Sequence, residues 1–511
     1  MSRHNGVHVG FMVLVFILLP TMAALGAERK SFVRQQYLFK QVLTAMGFTI
    51  QEGVVDFPDV LDMGCKCQLP SCFGNNPSSP YGIFVLPPAP NQEATVPNPY
   101  SEWFTEDKTY PEGWSWFWRL RADEAVVFLG TTPPEMDYFG FTAYLFDCHR
   151  AGINPPKCIS QTRPPRPPPA SAIDRFPLFA SLGDTINNQV IHVSGNEGNS
   201  FLKDVVFVLA AHQNVERQVR VALYLAGYPD KMINTYVISP NLVRLGVESE
   251  KDTLTFVLRM ASEMTPALQK YILSAKSLFR ISPTNPIPPS DFRPLRLPDL
   301  RVRGTGRTEV AFLPLVDLLG QAIIDAYPGY DAHPIFTVNW YEGYNCIENG
   351  QNCFGDNRDT PYIIPSFDPV TCKPNQDLTL SEGEFYVAYG VNHTASGKAT
   401  YSNISVIGWD KKSSPLVIDN KGMVGSASYY LGLSPFNPIA NKLYAVVFAR
   451  PGNCVGPPNH CLEVGYDCVN GVGADEPMVL AFRAYLEPET NVGPAYSEIV
   501  IDRIIKFKPK H

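Results

Sequence analysis

The sequence predicts a strand-rich α+β protein. Its first half reads as an N-terminal mixed sheet carrying one α/β unit, and its second as a C-terminal antiparallel sandwich- or barrel-like domain with disulfide-stapled loops. Three observations predict this. Short aromatic and β-branched runs recur between Gly-, Pro- and Asn-rich breaks. One strand–helix–strand pattern stands in the first half, long enough for parallel pairing. The cysteines bunch in loop-like stretches rather than in the apolar runs.

Taken in order, residues 1–27 have a short basic start, an apolar run from Phe11 to Leu19 and small residues up to Ala27. That is the layout of a secretory signal peptide, with cleavage expected after Ala27. The first domain is expected over 28–281. It opens with a helix over 28–48 whose Phe32, Tyr37, Leu38, Val42 and Leu43 share a face. Strands are expected at Tyr81–Leu86, Trp114–Leu120, Glu124–Leu129 and Asp137–Phe146, and residues 160–170 are too rich in proline for regular structure. The α/β unit follows: a buried strand Asp204–Ala211, a helix Asn214–Ala226 with Asn214 as its cap and Gly227 past its end, and a strand Ile233–Ile238. A further strand is expected at Thr253–Leu258. Residues 282–306 are proline-rich and charged and read as a linker. In the second domain, 307–511, an amphipathic helix over Thr308–Tyr327 would bury Leu313, Leu318 and Ile324. Strands are expected at Ile335–Trp340, Glu384–Tyr389, Ala399–Trp409, Tyr444–Ala449, Val479–Leu486 and Ile499–Phe507.

Composition narrows the functional classes. The chain has 511 residues, of which 45% are hydrophobic and 12% aromatic, enough for packed cores. A net charge of −7 without a dense basic block argues against nucleic acid as a partner. Beyond the leader, no stretch is long and apolar enough to span a bilayer. The expected address is secreted, extracellular or in the endomembrane lumen. The 11 cysteines agree with it, and Cys148–Cys158, Cys346–Cys353 and Cys454–Cys461 are the expected local pairs. The odd count leaves at least one thiol free or paired between chains. Cys65, Cys67 and Cys72 lack zinc-like paired spacing, and His460 alone lies within a cysteine cluster, so no metal and no cofactor are expected. Sequons at Asn392 and Asn403 predict surface glycosylation.

Candidate chemistry concentrates between Cys346 and Asn403. The turn Gly355-Asp356-Asn357-Arg358-Asp359-Thr360-Pro361 carries more polar groups than turning requires. A loop after the strand EFYVAY presents His393, Lys398 and Tyr401. If the two meet, His393 beside Asp356 or Asp359 makes a general acid–base pair with Arg358 as an anion clamp. Gly397-Lys398-Ala399-Thr400 lacks the upstream glycine of a phosphate loop. Trp114, Trp116 and Trp118 alternate as a carbohydrate-stacking platform would. His212 ends the α/β unit's first strand, where ligands bind in such units.

Two short motifs resemble known families. Gly355–Asp359 is similar to the last box of type I signal peptidases, a resemblance that implies a Ser nucleophile and Lys base in upstream motifs absent from this chain. Gly183-Asp184-Thr185 is similar to the GDS block of an esterase superfamily, with Thr185 where that family has Ser. The Asp-x-x-His pair it implies is missing; Asp331-Ala332-His333 has the wrong spacing. Two functional expectations remain: a secreted hydrolase or lyase using Asp356, Arg358, Asp359 and His393, or a non-catalytic extracellular or cell-surface glycoprotein binding a carbohydrate, small molecule or protein.

Overall fold

A computed structural model describes residues 32–69, 71–76, 80–90, 100, 110–149, 174–195, 198–261, 264–368 and 374–510. The leader-like segment 1–27, the proline-rich stretch 160–170, Cys158 and Cys372 lie outside them. The strand-rich α+β expectation holds.

The large mixed sheet comprises β1 (Phe48–Asp56), β2 (Tyr81–Val85), β3 (Ala125–Thr131), β4 (Tyr138–His149), β5 (Arg175–Ser181), β6 (Ile186–Asn187), β7 (Asp204–Ala210), β8 (Ile233–Val237), β9 (Thr253–Ala261) and β10 (Ser277–Pro283). Its order is β5-β4-β9-β2-β1-β10-β3-β7-β8, with β6 beside β4. The neighbours are antiparallel except β7 and β8, which run parallel because the helix Gln213–Leu225 carries the chain back between them. That helix buries Val215, Val219, Ala222 and Leu223, one face at helical spacing, against Val206, Val208 and Ala210 of β7. A helix over 32–45 adds Phe39 and Leu43 to the same core. The cap differs from expectation: Asn214 lies inside the helix, and the Nδ1 of buried His212 accepts its N–H at 2.9 Å.

Two further sheets form the second half. β11 (Tyr330–Ile335), β14 (Phe385–Val391), β17 (Leu443–Ala449), β18 (Cys461–Glu463) and β20 (Arg503–Pro509) make one, ordered β11-β20-β14-β17-β18. β12 (Thr337–Asn339), β13 (Tyr362–Pro365), β15 (Tyr401–Gly408), β16 (Ser413–Asp419) and β19 (Met478–Tyr485) make the other, ordered β12-β13-β19-β15-β16. Tyr386, Val446 and Phe448 meet Ile404, Val406, Leu480 and Phe482 in one core, so the two sheets pack as a sandwich. The helix Leu313–Ala326 covers the outer face of the first with Val316, Leu319 and Ile323. Leu313 and Leu318, expected inside, are 37% and 58% exposed. The helix is apolar on several sides, and Gly320 selects the buried one: a Cβ there would stand 2.8 Å from the Tyr389 hydroxyl.

Several expectations are corrected. Trp114–Leu120 forms isolated bridges, from Ser115, Trp118 and Leu120, and no strand. Trp116 and Trp118 are almost wholly buried, with their indole N–H groups on Asp56 Oδ2 at 3.0 Å and Phe84 O at 3.1 Å. The three-ring sugar platform is therefore not presented. Cys346–Cys353 and Cys454–Cys461 are bonded as expected. Cys148 is instead a free thiol, buried where β4 pairs with β5, 4.0 Å from Phe176 O; Cys158, its expected partner, lies outside the described residues. An unexpected bridge, Cys65–Cys468, spans 403 positions and ties the first half to the second. Closing so long a loop removes much of the unfolded chain's freedom. Replacing Cys468 with Ser is expected to lower unfolding free energy by on the order of 2–4 kcal/mol, read from the urea midpoint. An unchanged midpoint would show that the bridge adds nothing to this fold.

Candidate functional site

The Gly355–Asp359 turn joins the two halves. Gly355 has φ +70°, and a Cβ there would lie 2.7 Å from the Phe179 ring, so only glycine fits. Buried Asp356 accepts Ser181 N at 2.8 Å, Ser181 Oγ at 2.7 Å and Gly343 N at 2.9 Å. Burial raises its pKa against the pull of those donors. Asn357 donates to Tyr138 Oη at 2.6 Å, and Tyr138 donates to Asp359 at 3.0 Å. Thr185 Oγ1 donates to Asn357 Oδ1 at 2.7 Å and is buried, so the hydroxyl at the esterase-like position is already committed. Arg358 donates to Asp184 at 2.7 Å and to Arg301 O at 2.9 Å. Burial, opposed by Arg301 and the hydrogen bonds of Asn187 and Tyr138, lifts the Asp359 carboxyl to about 7.

His393 does not join this turn. Its Nδ1 lies 2.9 Å from Glu309 Oε2 and its Nε2 3.5 Å from Asp502 Oδ2. Asp502 also accepts the Tyr444 hydroxyl at 2.5 Å, and Glu309 accepts the Ser396 hydroxyl and Val500 N. Burial opposes a charged imidazole, but the two carboxylates outweigh it and raise the His393 pKa well above its ordinary value. Glu309 is lowered by the same ring despite burial. Lys398 bonds to Glu487, to Glu498 at 2.6 Å and to Arg307 O at 2.9 Å. The expected acid–base pair of His393 with Asp356 or Asp359 is thus replaced by separate buried networks. The two sequon asparagines also make internal hydrogen bonds. Asn392 caps a short helix and donates through Nδ2 to Asn420 O at 3.1 Å; buried Asn403 donates through Nδ2 to the Tyr401 hydroxyl at 3.1 Å.

A different place collects groups suited to a ligand. Alternate residues point from strands of two sheets into one partly enclosed cavity: Thr255, Val257 and Arg259 of β9, Tyr81 and Ile83 of β2, Tyr362 and Ile364 of β13, and Val479, Ala481, Arg483 and Tyr485 of β19. The opposite face of β9, with Leu254, Phe256, Leu258 and Met260, belongs to the core of the large sheet. β5 supplies Phe179, and loops supply Trp116, Phe117, Trp340, Phe354, Trp409 and Lys412. The cavity encloses about 120 Å³. No carboxylate lines it among the described residues, while three cations do.

Each cation is braced by rings. Arg259 lies 5.9 Å from the Tyr81 centroid and 5.5 Å from that of Tyr144, and donates to the Tyr362 hydroxyl at 3.2 Å and to Gly355 O. Arg483 lies 5.6 Å from the Tyr362 centroid and donates to Ser405 Oγ at 2.6 Å. The Lys412 ammonium sits 3.8 Å from the Trp409 centroid and 5.9 Å from that of Phe354. Burial lowers the Lys412 pKa to about 7, more than the charges of Asp410 and Glu476 raise it. Thr255 Oγ1, Arg259 Nε and Trp340 Nε1 are buried atoms on this wall with no hydrogen-bond partner among the described residues.

The backbone here is strained. Phe73, Phe179, Phe354 and Lys412 line the cavity with φ of 54°, 36°, 52° and 53°. Lys412 is held there by its carbonyl, which accepts Gly74 N at 2.8 Å, and by the neighbouring Asn75, which exchanges two bonds with Ser414. The sequence reading missed this site. The available signal was an arginine inside each of two otherwise apolar strands, FVLRM and LAFRAY.

Asp359 supplies a pH test of the turn. A carboxyl whose folded pKa lies above its unfolded value binds a proton in the native state that the unfolded chain has released. Its contribution therefore favours the fold below pH 4 and is lost as pH rises to 7. Relative to wild type, Asp359→Asn is expected to gain roughly 2–4 kcal/mol in unfolding free energy between pH 5 and 8. A difference that stays flat in urea titrations at the two pH values sinks this assignment.

No protein-family model matches the chain, and no curated protein is similar to it. Among solved structures, the VPA0106 protein from Vibrio parahaemolyticus aligns over 88% of this chain and 98% of its own, at 8% identity and a TM-score of 0.34. An uncharacterised protein from Burkholderia cenocepacia aligns over 94% and 96%, at 10% identity and a TM-score of 0.32. Likenesses this loose carry no argument about the chain.

Proposed function

We propose that the protein is an exported, disulfide-stapled binding protein that holds a small organic anion with a flat apolar or aromatic body between the large sheet and the sandwich. One observation carries this reading: an aromatic-walled cavity presents three cations and no carboxylate among the described residues. Aromatic faces favour flat apolar matter, and guanidinium and ammonium groups favour an acceptor of negative charge. The unpartnered Arg259 Nε, Thr255 Oγ1 and Trp340 Nε1 offer further hydrogen bonds to it. The cavity's volume is on the scale of one six-membered ring, since an apolar cavity of about 150 Å³ takes benzene.

The hydrolase or lyase reading has less support. Asp356, Arg358 and Asp359 are engaged in joining the halves, and His393 is closed inside Glu309 and Asp502. Export rests on the leader-like residues 1–27 and on three disulfides among the described residues, bonds that persist in oxidising compartments.

Calorimetric titration with benzoate and 3-phenylpropionate is the direct test. Micromolar binding is expected, with quenching of indole fluorescence because Trp116, Trp340 and Trp409 line the cavity. Trp409→Ala, which removes the ring under Lys412, is expected to weaken affinity about tenfold. Equal affinity in that variant, or no heat with either acid, overturns the proposal.

A further inference from the structure

We propose that Lys412 captures carbonyl compounds covalently, forming an imine with the aldehyde group of an aromatic acid held in the cavity. The inference rests on the binding reading above and adds a reaction to it.

Geometry carries it first. Lys412 is 3% exposed, lines the cavity, and has its amine over the Trp409 face with Phe354 beyond. The left-handed backbone at Lys412 is fixed by Gly74 and by the Asn75–Ser414 exchange, so the amine is delivered by a braced loop rather than a mobile one. Arg259 and Arg483, on β9 and β19, line the same cavity, where a carboxylate on the same molecule finds its counter-charge. Apolar walls exclude the water that returns an imine to its components.

Electrostatics agrees. Burial brings the Lys412 amine to about 7, so near neutral pH a large share of it carries the lone pair that attack requires. An exposed lysine with an ordinary pKa of about 10.4 has roughly a thousandth of its amine in that form. The other nucleophile on the wall, the Cys72 thiol, is pushed by burial up to about 12 and stays protonated.

The step balances without an external oxidant or reductant. The Nζ lone pair bonds to the carbonyl carbon and the carbonyl π electrons move to oxygen, giving a carbinolamine after proton transfer. The C–O bond then breaks as C=N forms. Water leaves with the carbonyl oxygen and both amine hydrogens.

The test incubates the full-length protein with 4-formylbenzoate and sodium cyanoborohydride, which delivers hydride to the imine carbon and fixes it as a secondary amine. Peptide mapping then locates the adduct. Occupancy at Lys412 is expected to exceed that at the exposed Lys66 and Lys421 by about tenfold or more at pH 7, and excess benzoate should suppress Lys412 alone. The initial labelling rate at Lys412 should level off above about pH 7, while the exposed lysines keep accelerating towards pH 10. Lys412→Arg, checked by its thermal melt, should abolish the cavity adduct. Because the wild-type map decides by itself, a variant that fails to fold leaves the proposal exposed to refutation. Benzoate binding in the calorimeter with labelling no greater at Lys412 than at Lys66 overturns imine formation and leaves the binding reading standing. No binding and no selective label overturns both.

Discussion

The structure depends on how the buried Asp356 carboxylate is satisfied. A carboxylate taken out of water is expensive unless each lone pair meets a donor. Its donors come from two distant places, Ser181 at the end of β5 and Gly343 in the second half. Meeting them fixes where the chain between Cys353 and Thr360 must run. The residues just before Asp356 are then placed as well: Cys353 N and Gly355 N donate to the backbone of Leu178 and Phe179, and Phe354 is turned into the cavity beside Trp340 and Trp409. One buried charge thus registers the sandwich against the large sheet and sets a wall of the cavity between them.

That division explains why the most polar turn of the chain reads as chemistry from sequence. Asp, Asn, Arg and Asp in succession are what a catalytic loop needs, and equally what is needed to satisfy backbone and side-chain donors across an internal boundary. Sequence cannot separate the two, because the partners Ser181, Thr185, Tyr138 and Asp184 are more than 170 positions away. The same distance hides Cys65–Cys468, whereas Cys346–Cys353 and Cys454–Cys461 announce themselves by proximity and turn composition. The α/β unit was legible because its signals are local: a continuous apolar run, a helical face and a glycine at the exit. The tryptophans were not, because alternation gives two faces without saying which is wet. Here Trp116 and Trp118 both turn inward, in a segment bridged at single points rather than laddered.

Two buried cations show how environment separates holding from reacting. His393 sits between Glu309 and Asp502, and those carboxylates raise its pKa even though burial works against the charge. A proton held that firmly, with Tyr444 and Ser396 completing the shell, ties β14's exit to β20's approach and is poorly placed to move. Lys412 meets the reverse balance. The carboxylates that act on it, Asp410 and Glu476, raise its pKa less than burial lowers it, and its ammonium donates to the Trp409 carbonyl and lies over the Trp409 ring. A ring face attracts an ammonium without taking its proton, so the amine stays balanced between charged and neutral forms.

Strain falls on the same side of that contrast. Left-handed backbone at Phe73, Phe179, Phe354 and Lys412 is an arrangement that side chains with a Cβ resist, at roughly 1–3 kcal/mol each. All four line one cavity and three are phenylalanines, whose bulk makes the conformation harder to keep. A core formed only to exclude water has easier solutions, since hydrophobic packing tolerates many repackings at small cost. Four strained residues around a space that, among the described residues, also holds unpartnered donors and no counter-charge indicate that the shape of the space, rather than its filling, is what the surrounding bonds maintain. A cavity kept open against its own backbone preference is what the proposed binding of a small anion calls for.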